Sequence, residues 1–556
     1  MRKGARVSQE REPSVRDLVL ARSGDPSPAL RFEDRSWTWD EYVTVSARWA
    51  NWLRARLDGD RPPHVGVLLE NVPDYAFLLG AAALSGVALV GLNPTRSVAE
   101  LRRDLDHTDC QLVVTELSRF DWLADGDLDG PAVVDVDDPD LADELAAAGD
   151  QGPDVEVDPA TPMLLIFTSG TTSAPKAVIC SQRKVAWTAT SAGTRRYRPD
   201  DVAYSSMPLF HSGAIMAMWA PMLGVGGTLV LRRRFSASRF IDDIRHHGCT
   251  VAHYVGKPLA YVLARPERDD DADNPLRAVF GNEGSARDIA EFAHRFDCEV
   301  YDGYGSTELG ISIRRVDGTP PEALGVPGDG DVRVVDVDTG RECPRACFDA
   351  DGRLCNEEEA VGELVRLDGP GLFEGYYNNP EADAERVRDG VFHSGDLAYR
   401  DEDGFFYFAG RTGEWLRVDG ENLAVAPIER ALSVLPGAMR VAVYAVPDPQ
   451  VGDLPMAAIV PVPGTHLDAG DLQRWWEACD ELSSKARPRF VRLTEALEQT
   501  ATYKTRKQGL IAEQWEADEP VLWAPSPREP YRRMTDADRA ELRAAFERHG
   551  RAELLP

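Results

Sequence analysis

The chain has 556 residues, a formal net charge of −31 and a hydrophobic fraction of 43%. This length allows a large core and more than one domain, and the composition is typical of a globular protein. A surface this acidic repels phosphate backbones, so we expect no nucleic acid partner.

The first part of the chain alternates helical and strand patterns, which predicts parallel sheets covered by helices. The predicted elements are, in chain order, a helix over Asp40–Leu57, a strand over His64–Glu70, a helix over Asp74–Leu84, a strand over Val87–Leu92, a helix over Val98–Leu105 and a strand over Gln111–Thr115. Asp125–Asp158 is rich in Asp, Gly and Pro, which predicts a surface connection. A second alternating stretch runs from Met163 to about Cys298, and strand-like segments follow it, including Asp331–Val337, Gly362–Leu367 and Gly404–Ala409.

The pattern changes near Gly410 to that of a small α+β domain of about a hundred residues. Its predicted elements are a helix over Asn422–Leu435, strands over Val441–Val446 and Met456–Val462, and a helix over Leu472–Leu482. The proline-rich segment Asp518–Tyr531 is predicted to be irregular. Thr535–His549 is predicted to be an amphipathic helix capped by Thr535 or Asp536.

No segment has the length of a membrane span. The longest apolar run, Phe77–Leu92, is too short and is interrupted by small residues, so it predicts a buried helix and strand. Residues 1–14 lack the apolar region of a secretion signal. The eight scattered cysteines fit a reducing compartment, so we expect a cytoplasmic protein with no membrane span.

The segment Leu164–Val178, with the sequence LLIFTSGTTSAPKAV, is the strongest single signal. An apolar strand leads into a loop of small and hydroxyl-bearing residues, whose backbone N–H groups can approach phosphate oxygens. Lys176 adds a positive charge to the loop. The Walker pattern is absent, and an ordinary Ser/Thr/Gly turn has the same composition, so the loop alone leaves both interpretations open.

This loop resembles the signature loop of the adenylate-forming superfamily, which includes acyl-CoA synthetases, peptide-synthetase adenylation domains and luciferases. Further segments resemble the other motifs of that family in the same order, namely Pro208–Ser212, Tyr304–Glu308, Ser394–Asp396, Gly410–Arg411, Gly420–Asn422 and Thr502–Lys504. The resemblance covers roughly residues 30–516. Finer features at Tyr254–Gly256, Gly281–Asn282 and Arg411–Glu414 resemble the fatty-acid transport protein and very-long-chain acyl-CoA synthetase branch.

The resemblance implies an α/β fold with a large N-terminal AMP-binding domain over residues 14–410. That domain would consist of parallel and mixed sheets covered by helices, plus a β-barrel-like part. A hinge at residues 411–413 would lead to a small, mobile α+β domain over residues 414–516. Residues 517–556 would form a C-terminal extension.

The resemblance also implies roles for particular residues. Lys504 would bridge the substrate carboxylate and the α-phosphate of ATP, Thr307 would donate to that phosphate, and Glu308 would bind Mg²⁺. The nucleotide, as ATP, AMP or acyl-adenylate, would contact Thr168, Ser169, Gly170, Thr171, Thr172, Lys176, Gly281, Asn282, Glu283, Tyr304, Asp396 and Arg411. Coenzyme A would enter a tunnel that the rotated small domain completes with Gly420, Glu421 and Asn422.

The acyl pocket is placed by resemblance at His211, Gly213, Val255 and Gly303. His211 would lie near the bound acid and gate the pocket, but a core histidine bonded to backbone fits the sequence equally well. Taken without the resemblance, Lys504 is a surface lysine, Glu308 a solvated carboxylate and Asp396 a turn aspartate.

The sequence therefore predicts an acyl-CoA ligase that joins a small-molecule carboxylic acid to CoA through an acyl-adenylate. The resemblance to the fatty-acid transport branch, with Gly213, Ala214 and Ala217 after His211, suggests a bulky apolar acid, either a fatty acid or a polycyclic natural-product acid. Loading of a carrier-protein thiol and a non-enzymatic nucleotide-binding protein are alternatives. Ser173 replaces a glycine of the family loop, so an enzyme specialised for thioester formation with weak adenylation is another. A homodimer is one open arrangement, since dimers are the commonest soluble assembly.

Overall fold

The computed structural model describes residues 12–120, 130–168, 176–191, 196–349, 354–411, 415–418, 421–449, 452–479, 482, 486–500, 505–526 and 529–556. These residues form two compact units, and each is described by itself. Unit 1 comprises Met1–Gly310 and Pro370–Glu385, and unit 2 comprises Ile311–Gly369 and Arg386–Pro556.

The strands are β1 (Pro28–Phe32), β2 (Arg35–Thr38), β3 (His64–Leu68), β4 (Ala88–Gly91), β5 (Leu112–Thr115), β6 (Ala132–Asp135), β7 (Pro162–Thr168), β8 (Lys176–Ser181), β9 (Val202–Ser205), β10 (Thr228–Leu231), β11 (Val251–Val255), β12 (Ala278–Asn282), β13 (Glu299–Gly305), β14 (Ser312–Arg314), β15 (Val326–Pro327), β16 (Val332–Val335), β17 (Gly362–Arg366), β18 (Val387–Arg388), β19 (Val391–Arg400), β20 (Phe406–Arg411), β21 (Trp415–Val418), β22 (Glu421–Ala424), β23 (Ala438–Pro447), β24 (Asp453–Pro461), β25 (Phe490–Leu493), β26 (Val521–Trp523) and β27 (Arg532–Arg533).

The α-helices are α1 (Val15–Leu20), α2 (Trp39–Arg54), α3 (Pro73–Ser85), α4 (Val98–His107), α5 (Pro139–Ala147), α6 (Gln182–Thr190), α7 (Ser212–Ala214), α8 (Ala220–Val225), α9 (Phe240–His247), α10 (Pro258–Leu263), α11 (Ala286–Phe296), α12 (Glu357–Ala360), α13 (Pro380–Arg386), α14 (Val425–Ser433), α15 (Ala469–Ala478), α16 (Gln508–Glu513) and α17 (Asp536–Arg548). A π-helical turn, Ile215–Trp219, joins α7 to α8. Among the described residues, no helix is long and apolar enough to cross a membrane.

Unit 1 contains strands from two largely parallel sheets. One sheet has the order β6-β5-β3-β4-β7-β8 and is parallel except for the β7–β8 hairpin. The other runs β13-β12-β11-β9-β10-β1-β2 and is parallel except for the β1–β2 pair. The strand β3 is buried along its whole length, as expected for a parallel strand covered on both faces.

Unit 2 contains a sheet of the order β16-β17-β19-β18, with β20 added to β19, and a β21–β22 hairpin. A further sheet has the order β23-β24-β25-β26-β27. Residues of this sheet, including Trp523, share an apolar cluster with Trp515 and with Phe546 of α17. The predicted α/β architecture is confirmed, including the helix that follows Thr535. Thr535 caps α17 through a capping box with Asp538.

Two segment predictions were wrong, and a third was right only in part. The described part of Asp125–Asp158 is mostly exposed, as predicted, but it contains β6 and the helix α5, which Asp138 caps and Pro139 begins, and in which only Leu141 is buried. The predicted helix Asn422–Leu435 begins as β22, since the chain first pairs with β21. The predicted irregular segment Asp518–Tyr531 contains β26, which pairs with β25.

Candidate active site

The carboxyl ends of three parallel strands bring predicted nucleotide and acyl residues of unit 1 into one row. The register pairs Val255 of β11 with Asn282 of β12, and Asn282 with Gly303 of β13. The Asn282 side-chain amide donates to the Gly303 carbonyl oxygen at 2.8 Å, and the Gly256 N–H donates to the Asn282 carbonyl oxygen at 2.9 Å. Ligands of parallel α/β sheets bind at this edge. Tyr304, the next residue on β13, is partly buried.

The ring of Tyr254 packs so closely against Gly281 that it leaves no room for a side chain there. A Cβ atom at Gly281 would lie 2.4 Å from two ring carbons, so no larger residue fits without moving the tyrosine. The Tyr254 hydroxyl donates to Asp302, whose carboxylate also accepts the Gly284 N–H at 3.0 Å. Between these contacts Glu283 adopts a left-handed backbone with a φ of 64°, a conformation that is concentrated at functional sites.

Thr307 and Glu308 follow β13 and are buried, with 8% and 6% of their surfaces exposed. The Thr307 and Ser212 hydroxyls share a hydrogen bond of 2.8 Å, which connects the predicted phosphate contact to the residue after His211. The Tyr376 hydroxyl donates to Glu308 Oε1 at 2.8 Å. The carboxylate predicted to bind metal is therefore held by a neighbouring side chain.

Lys176 begins the second strand of the β7–β8 hairpin, directly opposite Thr168. Its ammonium lies 3.1 Å from Glu385 Oε2 and 5.5 Å from the centre of the Tyr376 ring. Since 70% of the Glu385 side chain is exposed, a phosphate oxygen could replace this carboxylate at little cost. The loop that connects the two strands lies outside the described residues, including Ser169, Gly170, Thr171, Thr172 and Ser173.

At the predicted acyl end, His211 caps the short helix α7. Its Nδ1 accepts the Gly213 N–H at 3.1 Å, as the backbone-bonded interpretation expects. A Cβ atom at Gly213 would meet Met207 Sδ at 2.8 Å and His253 Cε1 at 2.9 Å. The space beside Gly213 is therefore filled by these two side chains. Burial and the nearby His211 lower the pKa of His253 to about 3, so its imidazole is neutral.

In unit 2, Asp396 lies on β19 opposite Arg411 of β20. The residues before it on the same strand are held by the buried carboxylate of Glu363, which accepts the Gly395 N–H at 3.0 Å and contacts His393 Nδ1 at 2.8 Å. Gly395 has a φ of 71°, which favours glycine. Asp396 thus lies on a part of β19 that Glu363 holds in place.

The predicted coenzyme A element lies on a hairpin of unit 2. Glu421 and Asn422 belong to β22, where they pair with Val418 and Arg417 of β21. Gly420 and the predicted catalytic Lys504 lie outside the described residues.

The oxygen donors near Glu308 fit a magnesium ion that is shared with phosphates. Mg²⁺ prefers hard oxygen ligands and usually binds one or two carboxylates together with phosphate oxygens and water. Glu308 supplies a carboxylate and Thr307 an adjacent hydroxyl, both in a buried turn. Among the described residues, no group of three or more His, Cys, Asp or Glu side chains could hold a metal ion.

Comparisons with known proteins identify the family of the chain. Residues 20–377 match the AMP-binding enzyme family, and residues 427–504 match the AMP-binding enzyme C-terminal domain. The chain belongs to the AMP-binding enzyme family.

Similar proteins of this family include the medium/long-chain-fatty-acid–CoA ligase FadD17 of Mycobacterium tuberculosis, which is 49% identical over 92% of this chain and 98% of its own. The steroid-22-oyl-CoA synthetase of Rhodococcus jostii is 44% identical over 98% of this chain and 99% of its own. Among solved structures, ATP-bound MatB from Rhodopseudomonas palustris is similar in fold, with a TM-score of 0.79 and 23% identity over 90% of this chain and 99% of that chain.

Sequence reasoning missed several residues of this site. Tyr376, Glu385 and His253 lie outside the motifs, and their partners are distant in sequence, so no local pattern indicated them. Lys184 also contacts Glu308, and its signal was the scarcity of lysine, since the chain has seven among 62 basic residues.

Proposed function

We propose that this chain is an AMP-forming acyl-CoA ligase that activates an apolar carboxylic acid and transfers it to coenzyme A. The observation that carries the proposal is the buried Thr307–Glu308 turn in the unit that also contains the Lys176 hairpin. Two relatives that are 44% and 49% identical, a steroid-22-oyl-CoA synthetase and a fatty-acid–CoA ligase, support it.

The first half-reaction forms a bond between a carboxylate oxygen and the α-phosphorus of ATP and releases pyrophosphate. Two anions must approach each other, so the site has to supply positive charge and hydrogen-bond donors. Lys176 would exchange Glu385 for a phosphate oxygen, and the Thr307 hydroxyl would donate to the α-phosphate. Glu308 would hold Mg²⁺, which neutralises phosphate charge when bound. Lys504 would join the substrate carboxylate to the α-phosphate.

In the second half-reaction the sulfur of CoA attacks the acyl carbonyl carbon, and AMP leaves as the thioester forms. The CoA thiol loses its proton in this step. We assign the pantetheine contacts to Gly420, Glu421 and Asn422, and the ribose contact to Asp396, on the family resemblance. Three further points stay predictions, namely the domain boundaries at residues 410 and 516, a cytoplasmic location and a homodimer.

The test is a reaction with ATP, Mg²⁺, CoA and acids that range from acetate to long-chain and polycyclic acids. We expect AMP and an acyl-CoA of the correct mass by mass spectrometry, with CoA preferred over a phosphopantetheinylated carrier protein. Acylation of the carrier alone would exclude a CoA ligase. If the protein forms acyl-CoA from a supplied acyl-adenylate but shows no pyrophosphate exchange with any acid, it is instead an enzyme specialised for thioester formation.

A further inference from the structure

Lys184 is a fully buried lysine in a chain that uses few lysines. It lies in the first turn of α6, and its ammonium donates to the carbonyl oxygens of Ile179 at 3.3 Å and Glu308 at 3.1 Å. Burial of an ammonium group is costly, so a fully buried lysine needs partners that satisfy it. One of these partners is the backbone of the predicted metal ligand, 124 residues away in the sequence.

The residue after Glu308 has a strained backbone. Leu309 adopts a φ of 53°, in the left-handed region that branched, bulky residues rarely occupy. Such strain persists only where surrounding contacts hold the chain, and it is concentrated at functional sites. The Glu308–Leu309 turn therefore depends on contacts that hold it from outside.

Lys184 supplies one of those contacts. It holds the oxygen of the peptide that joins Glu308 to Leu309, while the N–H of the same peptide donates to the Ser306 carbonyl oxygen at 3.1 Å. The Leu372 N–H then donates to the Leu309 carbonyl oxygen at 3.1 Å. Both peptides that flank Leu309 are fixed, which also fixes the direction in which the Glu308 side chain leaves the backbone.

We infer that Lys184 is a positioning residue for adenylation, which orients Glu308 toward the divalent cation through the Glu308–Leu309 peptide. This inference rests on the proposed function, because it requires Glu308 to bind Mg²⁺. The Tyr376 hydroxyl holds the carboxylate of Glu308, and Lys184 holds the backbone carbonyl group of the same residue. Preorganised groups of this kind act mainly on the step in which charge develops.

The test compares Lys184→Met with Gln182→Met, a matched control on the same helix. Gln182 is also fully buried and donates to backbone carbonyl oxygens, but these belong to Ala82 and Ala83 in α3, and its own side-chain oxygen accepts the Arg16 N–H. We expect Lys184→Met to raise the Mg²⁺ concentration for half-maximal ATP–pyrophosphate exchange by about tenfold or more, the scale for loss of a residue that orients a metal ligand. Thioester formation from a supplied acyl-adenylate should stay near wild type in both variants.

A purely structural role would lower both half-reactions together and leave the Mg²⁺ dependence unchanged. That result, or equal behaviour of Lys184→Met and Gln182→Met, would overturn the inference. If Lys184→Met does not fold, Lys184→Gln replaces it, since it keeps a hydrogen-bond donor but removes the charge and shortens the side chain. Failure of both variants to fold, while Gln182→Met folds, would make Lys184 a folding residue and would also overturn it.

A second substitution tests the route through the backbone. Glycine adopts a positive φ without strain, so Leu309→Gly should reduce the need for Lys184 and restore part of the Mg²⁺ response to Lys184→Met. Absence of any rescue would contradict the role of the strained turn. The proposed function fails separately, if the wild-type protein shows no acid-dependent pyrophosphate exchange at all.

Discussion

Tyr376 and Tyr377 are adjacent, but their hydroxyls donate to different carboxylates. Tyr376 donates to Glu308 at 2.8 Å, and Tyr377 donates to Asp109 at 2.9 Å. We expect Tyr376→Phe to raise the KM for MgATP by about tenfold or more, because a hydrogen bond to a charged group contributes about 1.5–3 kcal/mol. Tyr377→Phe is the matched control and should keep the wild-type KM. Equal effects in steady-state kinetics would remove the role assigned to Tyr376.

Lys504 is expected to be needed for adenylation but not for thioester formation. Lys504→Ala should slow adenylation by about 10²-fold or more, the scale for loss of a positioned charge in the transition state. Thioester formation from a supplied acyl-adenylate should survive. Lys507→Ala is a suitable control, since Lys507 lies three residues away and pairs with Glu429 at 3.0 Å. An equal loss in both half-reactions of folded Lys504→Ala would show that the assignment is wrong.

The buried imidazole of His253 predicts a pH dependence of stability. Its pKa is lowered from 6.5 to about 3 in the folded protein, so unfolding at acid pH takes up a proton. The stability that this group contributes is present above pH 6.5 and is lost as the pH falls toward 3. We expect His253→Gln to show a smaller drop in melting temperature than wild type between about pH 7 and about pH 5. His466→Gln, an exposed control, should follow wild type, and identical drops in all three proteins would contradict the prediction.

At the scale of elements, the segment after residue 516 is part of the folded core of unit 2. The strand β26 pairs with β25, and the Trp523 ring stacks on Phe490 with a centroid distance of 6.3 Å. Phe546 of α17 is fully buried in the same apolar cluster. These contacts explain why a proline-rich sequence forms regular structure there.

Phe546→Ala should therefore destabilise the protein by about 3–5 kcal/mol, the cost of removing a large buried side chain. Denaturant unfolding monitored by tryptophan fluorescence measures this, since Trp515 and Trp523 belong to the cluster. Ile511→Ala is the control, because 46% of Ile511 is exposed and surface changes usually cost less than about 0.5 kcal/mol. A Phe546→Ala protein as stable as this control would show that α17 contributes little.

At the scale of the whole molecule, the kcat/KM values for acids of different length measure how much apolar surface of the substrate the enzyme buries. Each buried methylene contributes about 0.8 kcal/mol, so kcat/KM should rise about fourfold per methylene until the pocket is filled. Straight-chain acids from acetate upward, with a polycyclic acid beside them, would show where the rise ends. Acetate turning over as well as a long-chain acid would contradict an apolar pocket.

The sequence predicted those site residues that lie in short motifs or at the ends of predicted strands. Thr307 and Glu308 belong to one motif, and the row formed by Val255, Asn282 and Gly303 follows from the ends of parallel strands. The contacts from Tyr376 and Lys184 to Glu308 span 68 and 124 residues. Spacing along the chain holds no information about such pairs.

By itself, the sequence determined the α/β class, the family and the identity of the motif residues, because periodicity and short motifs are local properties. It also located the helices and strands between Asp40 and Thr115, whose apolar patterns are strong. Only the tertiary structure decided that Lys184 is buried under Glu308, that Met207 and His253 fill the space at Gly213, and that β26 continues a sheet. Each of these depends on long-range packing, in which burial and pairing override what neighbouring residues favour.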